Sequence, residues 1–158
     1  MTRATRVSAA DYRRLAEVRH QIRLFLRFSE RAAREAGVEP AQHQLLLAVR
    51  GHPDRSEPSI GDLAERLQLR HHSVVELVDR LQRRGLVARR RAAADARRVA
   101  VRLTRRGAGV LRELSRHHLA ELRSRGPALV RELEALTAGR PRPQGHGRES
   151  GPRRSTEK

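Results

Sequence analysis

The sequence of 158 residues contains no cysteine and no tryptophan, and aromatic residues make up only 2% of it. The absence of cysteine excludes disulfides, thiolate metal ligands and a cysteine redox switch. With so few aromatic residues, a core must be built from Leu, Val, Ala and a few Ile. No run of about 18 apolar residues occurs, which argues against a membrane span. The N-terminus has no apolar signal core, so we expect a cytoplasmic protein.

Lysine is almost absent as well. Lys158 is the only one, so 34 of the 35 basic residues are arginine, and the net charge is +17. A large excess of one sign suggests a polyanionic partner, and the forked guanidinium suits phosphate and guanine. A GC-rich genome would favour arginine over lysine codons, but it would not explain the excess of basic over acidic residues.

Helical patterns dominate the first third of the chain, whose total length suits one domain. A helix is predicted over residues 8–36, opened by a capping box from Ser8 to Asp11 and ended by Gly37. Its apolar stripe recurs at steps of three and four residues, which suggests that part of this helix faces another chain. A second helix is predicted from Pro40 to Gly51.

Two short helices and a hairpin follow. A helix opened by a capping box at Ser59, a turn at 68–70 and a helix at about 71–84 form a helix-turn-helix arrangement. After Gly85, two strands within residues 86–104 are joined by the connection AAADAR, which predicts a β-hairpin. A helix-turn-helix followed at once by a basic hairpin is a winged helix.

The positive charge is concentrated on this unit. Residues 66–106 hold 13 arginines against Glu76, Asp79 and Asp95, so 13 − 3 = +10 of the net charge lies in 41 residues. This concentration favours binding to duplex DNA over a merely solvated surface. Glu76 would either accept from a cytosine amino group or pair with Arg80 four residues later. The residues expected at the DNA are His71, His72, Ser73, Glu76, Arg80, Arg83, Arg84, Arg89, Arg90, Arg91, Asp95, Arg97 and Arg98.

The C-terminal third divides into helix and tail. Thr104 suits an N-cap, and helices are predicted over 105–125 and 127–138 with a break at Gly126–Pro127. Residues 139–158 hold glycine and proline but no large apolar residue, so we expect a disordered basic tail.

Three blocks resemble the MarR family of bacterial transcription regulators, in the family's order and spacing. They are SIGDLAERL (59–67), SVVELVDRLQRRGLV (73–87) and DARRVAVRLTRRG (95–107). With the flanking helices the resemblance covers about residues 10–138. It implies a mainly α fold with a small β-hairpin wing in a domain over 1–138. The winged helix-turn-helix DNA-binding lobe would occupy about 40–104, and the dimerisation helices about 9–36 and 105–138.

The resemblance also implies roles. A homodimer would bind a pseudo-palindromic operator, with the helix from His71 in the major groove. Arg97, at the wing tip, would reach the minor groove, and Asp95 would hold the wing arginines in place. The residues expected in the dimer interface are Leu15, Val18, Ile22, Leu122, Leu129, Leu133 and Leu136. Members of the family are commonly repressors released by small lipophilic or aromatic-acid effectors, for which His20, Arg23 and His43 are the candidate pocket residues.

One departure from the family pattern concerns the start of the recognition helix. Arg70, His71 and His72 stand where many members have a Ser or Thr cap, so the helix starts either there or at a cap formed by Ser73.

Other functions stay open at this point. A non-specific architectural DNA-binding protein would lack the preference for one operator that a regulator shows. In a pure protein-interaction module the wing would be vestigial. An enzyme is disfavoured because Gly107-Ala108-Gly109 lacks the context of a phosphate loop, and no cofactor is predicted. A sensory metal site built from His20, His43 and His118 is an alternative to satisfied core or pocket histidines.

Overall fold

The computed structural model describes residues 7–53, 57–91 and 99–138. Within these ranges the chain is mainly helical with one antiparallel hairpin, as the sequence predicted. The elements are α1 (Ala9–Glu35), α2 (Pro40–Arg50), α3 (Ile60–Leu67), α4 (His71–Arg83), β1 (Val87–Arg91), β2 (Val99–Leu103) and α5 (Arg105–Thr137).

The predicted caps set the starts of three helices. At the start of α1, the Ser8 hydroxyl accepts from the Asp11 amide (3.2 Å), and the Asp11 carboxylate accepts from the Ser8 amide (2.7 Å). Ser59 forms the corresponding capping box at the start of α3. The Thr104 hydroxyl accepts from the Gly107 amide (3.0 Å) and caps α5. In each case a side chain satisfies a helix amide that has no partner inside the helix.

The start of α4 differs from these three. The helix begins at His71 with Arg70 at the N-cap, and the Arg70 side chain makes no capping hydrogen bond. Ser73 therefore lies inside the first turn, and the alternative of a shortened helix capped by Ser73 is wrong.

The predicted break at Gly126–Pro127 is also wrong, because α5 runs unbroken through Pro127. Proline removes one amide donor and crowds the carbonyl four residues earlier, that of Arg123. Both Arg123 and Pro127 are exposed, so water can satisfy that carbonyl. The Arg, Leu, Glu and Ala residues on either side favour helix strongly enough to continue it.

The hairpin is fixed to the helices at its base. β1 and β2 pair in antiparallel register, with Val87 opposite Leu103 and Arg91 opposite Val99. The Val101 amide donates to the Pro58 carbonyl (2.9 Å), which joins β2 to the segment that leads into α3. The burial of β1 falls from Val87, which is buried, to Arg91, which is exposed. The first strand is thus buried at the base of the hairpin and becomes exposed toward its far end.

The core lies between α2, α3, α4, the hairpin base and the first half of α5. Its most buried side chains are aliphatic, as the composition predicted: Leu45, Leu46, Leu63, Val74, Val78, Leu81, Leu86, Val87, Val101 and Leu114. α5 approaches this core at Gly107, where a Cβ atom would lie 1.9 Å from the Leu86 carbonyl oxygen. No helix within the described ranges is long and apolar enough to cross a membrane.

Candidate nucleic-acid interface

The two faces of α4 differ sharply. Val74, Val78 and Leu81 are fully buried and hold the helix on the core. His71 and His72 are exposed in the first turn, and Ser73 is half-buried. Helix N-termini carry partial positive charge and attract phosphate. The uncapped start of α4 therefore presents amides and imidazoles together on the outer surface.

Farther along the same helix, Glu76 and Arg80 form an ion pair (3.5 Å) of two exposed side chains. This is the intramolecular pairing that the sequence offered as one role for Glu76. Exposed pairs of this kind contribute little to stability, about 0.3–0.5 kcal/mol, and exchange readily for other partners. Both side chains can therefore turn toward a ligand at small cost.

Arg84 points away from this outer face. Its guanidinium donates to the Gln42 side chain (2.8 Å) on α2 and to the Gly37 carbonyl just beyond α1. Carbonyls at a helix C-terminus lack intrahelical partners and carry partial negative charge, so they attract a guanidinium. Arg84 was predicted to contact DNA from its place on the helix. The structure instead places it in a structural contact between three helices.

The three consecutive β1 arginines also have different surroundings. Arg89 is directed onto α4, where it forms an ion pair with Asp79 and donates to the Gln82 side chain (3.0 Å). Arg90 lies 3.8 Å from Glu57, with more than half of its side chain exposed. Arg91 is exposed, as is Arg83 on α4. Asp95, Arg97, Arg98 and the tail 139–158 lie outside the described residues.

A pair of histidines joins α2 to α5. His43 is 2% exposed, and its ring centroid lies 4.8 Å from that of His118. The His118 Nδ1 donates to the Leu114 carbonyl (2.6 Å), and in the neutral ring its Nε2 accepts from the Ser29 hydroxyl (2.7 Å) on α1. Phe25 and Phe28 meet the His118 ring edge-on. These contacts bind α1, α2 and α5 together.

The predicted effector residues differ in their surroundings. His20 and Arg23 are exposed on α1, whereas His43 is buried against His118. Burial, with a smaller effect from His118, holds the pKa of His43 below its ordinary value. Among the described residues no group of three or more His, Cys, Asp or Glu side chains could hold a metal ion, so the metal site from His20, His43 and His118 is not formed there.

The predicted dimer residues fall into three classes. Leu15, Ile22, Leu122 and Leu133 are each more than 40% exposed, although they are large and apolar. Leu129 and Leu136 are half-buried, and Val18 is buried within the protomer. The exposed members lie on α1 and α5, the two helices that pack along each other. Within the described part of the chain they are exposed apolar side chains on this helix pair.

Comparison with known proteins bears on this winged unit. Residues 36–98 match the MarR family. That segment runs from the end of α1 through the hairpin connection and contains α4 and β1. The matched family consists of transcription regulators rather than enzymes. A search of curated proteins found no match to the chain.

Solved MarR structures share the fold of the chain. AbsC of Streptomyces coelicolor is 19% identical with a TM-score of 0.67, and the match covers 85% of this chain and 95% of that one. A MarR family protein of Bacillus stearothermophilus is 22% identical with a TM-score of 0.63, over 74% and 80%. A point mutant of S. aureus MepR, solved bound to an oligodeoxyribonucleotide, is 21% identical with a TM-score of 0.56, over 76% and 87%. The MarR-like chain is thus a winged helix-turn-helix protein.

Sequence reasoning missed the partners of the inward-turned arginines. Val75, Asp79 and Gln82 recur at steps of four and three on α4, a spacing that places them on one face. That face lies beside β1, the element that follows α4 directly. Helix periodicity alone could have pointed to an acid facing the first strand, but not to which arginine reaches it.

Proposed function

We propose that this chain is a dimeric, sequence-specific DNA-binding transcription regulator. The observation that carries the proposal is the outer surface of α4. Its first turn is uncapped by a side chain and exposes two histidines, and its later turns expose Arg80 and Arg83. Imidazole and guanidinium groups can hydrogen-bond to both phosphates and base edges.

The proposed interface is narrower than the sequence alone indicated. On α4 it comprises His71, His72, Ser73, Glu76, Arg80 and Arg83, and on the hairpin Arg90, Arg91, Arg97 and Arg98, with Asp95 holding Arg97 in place. Arg84 and Arg89 are left out, because their guanidinium groups are engaged within the protomer. In this proposal α4 lies in the major groove, and the hairpin follows the backbone toward the minor groove.

A second copy of the chain would cover the exposed apolar side chains on α1 and α5. Leu15, Ile22, Leu122 and Leu133 are the central members of that interface, with Leu129 and Leu136 beside them, while Val18 supports α1 from within the protomer. Repression, and release of DNA by a small lipophilic or aromatic-acid effector, are part of the same proposal and rest on the family resemblance.

Selection from a random duplex library, followed by titration of the recovered duplex and a scrambled one, tests this function. We expect a pseudo-palindromic site and a strong preference for it over the scrambled duplex. If the dimer contacts on the order of ten phosphates, log affinity falls with log salt at a slope of about −9. Equal affinity for both duplexes would instead favour the architectural protein, and a slope near zero would refute the electrostatic footprint.

A further inference from the structure

Arg89 links the hairpin to α4 through three contacts. It forms an ion pair with Asp79, donates to the Gln82 side chain (3.0 Å) and lies 3.4 Å from the Val75 carbonyl, to which it also donates. Its side chain is only 27% exposed. The contact between Arg89 and these three groups on α4 is called the hairpin strap below.

The geometry of the strap suits arginine specifically. Val75, Asp79 and Gln82 lie within two turns of α4, about 10 Å along the helix axis, and all three direct an acceptor toward one guanidinium. The planar fork of arginine can serve several acceptors at fixed angles, whereas the single ammonium of lysine cannot. Nη1 contacts Asp79 and Gln82 and Nη2 contacts the Val75 carbonyl, so lysine would keep the positive charge but could not reproduce an arrangement that uses two nitrogens.

The strap lies near the outer limit of the hydrophobic packing on β1, although the residues opposite Arg89 and Arg90, Val101 and Ala100, are still buried. Arg89 follows the last apolar residues of β1 and precedes Arg90 and Arg91, which are exposed. Beside it, the start of α4 and β2 are separated by an open groove of about 500 Å³. His71, Val75 and Val99 line this groove together with Arg89 and do not fill it. Beside this groove the strap adds a polar contact between hairpin and helix to the core packing of Val87 and Val101 against α4.

We propose that Arg89 and Asp79 are positioning residues that fix the angle of the hairpin to α4, rather than groups that contact DNA themselves. The inference rests on the proposed DNA-binding function. Two contact elements in one protomer reach adjacent grooves of one duplex only if their separation is held. Asp79 is essential to this placement even though it adds negative charge near a polyanion.

The sign of the Asp79→Asn effect separates this proposal from simple electrostatics. Removing one negative charge per protomer beside DNA should strengthen binding to every duplex if charge alone matters. If the strap positions the hairpin, Asp79→Asn instead weakens binding to the library-selected duplex by about tenfold or more. Binding to the scrambled duplex then changes little, so selectivity falls. Glu113→Gln removes one exposed acid on α5 and is the charge-matched control.

Arg89→Lys and Arg89→Gln test the other side of the strap. A phosphate contact would survive Arg89→Lys, and its loss in Arg89→Gln would reduce the salt slope by about 1.8 per dimer (2 × 0.9). The strap predicts that both variants lose selectivity and that both lower the slope, because a displaced hairpin gives up its own phosphate contacts, whereas a phosphate contact of Arg89 itself would leave the slope of Arg89→Lys unchanged. The double variant Asp79→Asn/Arg89→Gln should bind about as Arg89→Gln alone, because both changes break one contact.

Structural readouts guard against an effect of unfolding alone. Protection of the DNA backbone from hydroxyl radicals shows whether the hairpin is bound there. Protection of guanine N7 from methylation shows whether α4 is bound in the major groove. If the strap positions the hairpin, the strap variants lose the hydroxyl-radical protection and keep the N7 protection. General destabilisation of the protein would weaken both. If Asp79→Asn does not fold, Gln82→Leu provides a second test. It removes one acceptor of the strap without changing the charge, and we expect it to lower selectivity as well.

The outcomes distinguish two failures. A wild-type protein that does not prefer the selected duplex refutes the proposed function itself. A wild-type protein that does prefer it, with Asp79→Asn binding equally or more tightly, overturns the role of the strap and leaves the function standing.

Discussion

The contact between Gly107 and Leu86 yields the sharpest prediction for stability. Gly107 lies in the first turn of α5, where its amide donates to the Thr104 hydroxyl (3.0 Å). Its Cα faces the Leu86 carbonyl, which also accepts from the Thr104 amide (3.1 Å). A Cβ at position 107 would lie 1.9 Å from the Leu86 oxygen and 2.9 Å from its carbonyl carbon.

The cost of Gly107→Ala follows from these distances. Side-chain Cβ atoms essentially never approach another heavy atom closer than 3.0 Å, so the backbones must separate by at least about 1.1 Å (3.0 − 1.9). Such a shift also breaks the hydrogen bond from Thr104 to Leu86. Overpacking costs about 1–3 kcal/mol and the lost bond about 1 kcal/mol. We expect the free energy of unfolding to fall by about 2–4 kcal/mol, with a drop in Tm on the order of 10 °C.

Urea unfolding at fixed protomer concentration, followed by circular dichroism, measures this loss. Gly109→Ala is the matched control, since no atom lies within 4 Å of its added Cβ. In a helix that change should stabilise the protein by about 0.5–1 kcal/mol. If Gly107→Ala left the free energy of unfolding unchanged, or raised it as Gly109→Ala does, the close approach of α5 to Leu86 would be refuted.

Two further predictions concern the helical body of the protein. Burial and His118 lower the pKa of His43, so the unfolded chain binds a proton on this residue more readily than the folded protein does. His43 therefore reduces the free energy of unfolding progressively as the pH falls below about 6.5, and it has no such effect at higher pH. His43→Leu should therefore flatten the decline in unfolding free energy between pH 7.5 and 5.5; a decline as steep as in wild type, or as in the exposed control His20→Gln, would contradict this. Leu122→Glu places a charge on the exposed apolar face of α5 and should shift the mass in solution from about 35.8 kDa (2 × 17.9) toward 17.9 kDa. Ser124→Glu, on the opposite side of the helix, should remain at the larger mass, and equal masses for the two variants would argue against the proposed interface.

Local signals in the sequence predicted the elements well. The capping boxes at Ser8 and Ser59 and the cap at Thr104 fixed three helix starts, because a cap is a contact between residues three apart. The break at Gly126–Pro127 was wrong, since proline in an exposed helix removes one hydrogen bond and the neighbouring residues outweigh that loss.

Long-range contacts of long side chains could not be predicted in the same way. Periodicity places Arg84 on the outside of α4, but its side chain is long enough to reach the end of α1 from there. Arg89 was expected at the DNA because it belongs to the run of arginines that ends the first strand of the hairpin, and it contacts Asp79. The pairing of His43 with His118, rather than with His20, depends on the packing of α2 against α5. A helix pattern indicates which face a residue occupies and leaves its partner undetermined.

The close contact between Gly107 and Leu86 has a further consequence because α5 is long. At about 1.5 Å per residue, its 33 residues extend about 50 Å from the winged unit. A tilt of one degree at the first turn displaces the last turn by about 0.9 Å, if the helix moves as a rod of that length. Because Gly107 lies directly against Leu86, we expect a small rotation of the winged unit to be transmitted to α5 and to appear enlarged at the far end of the helix.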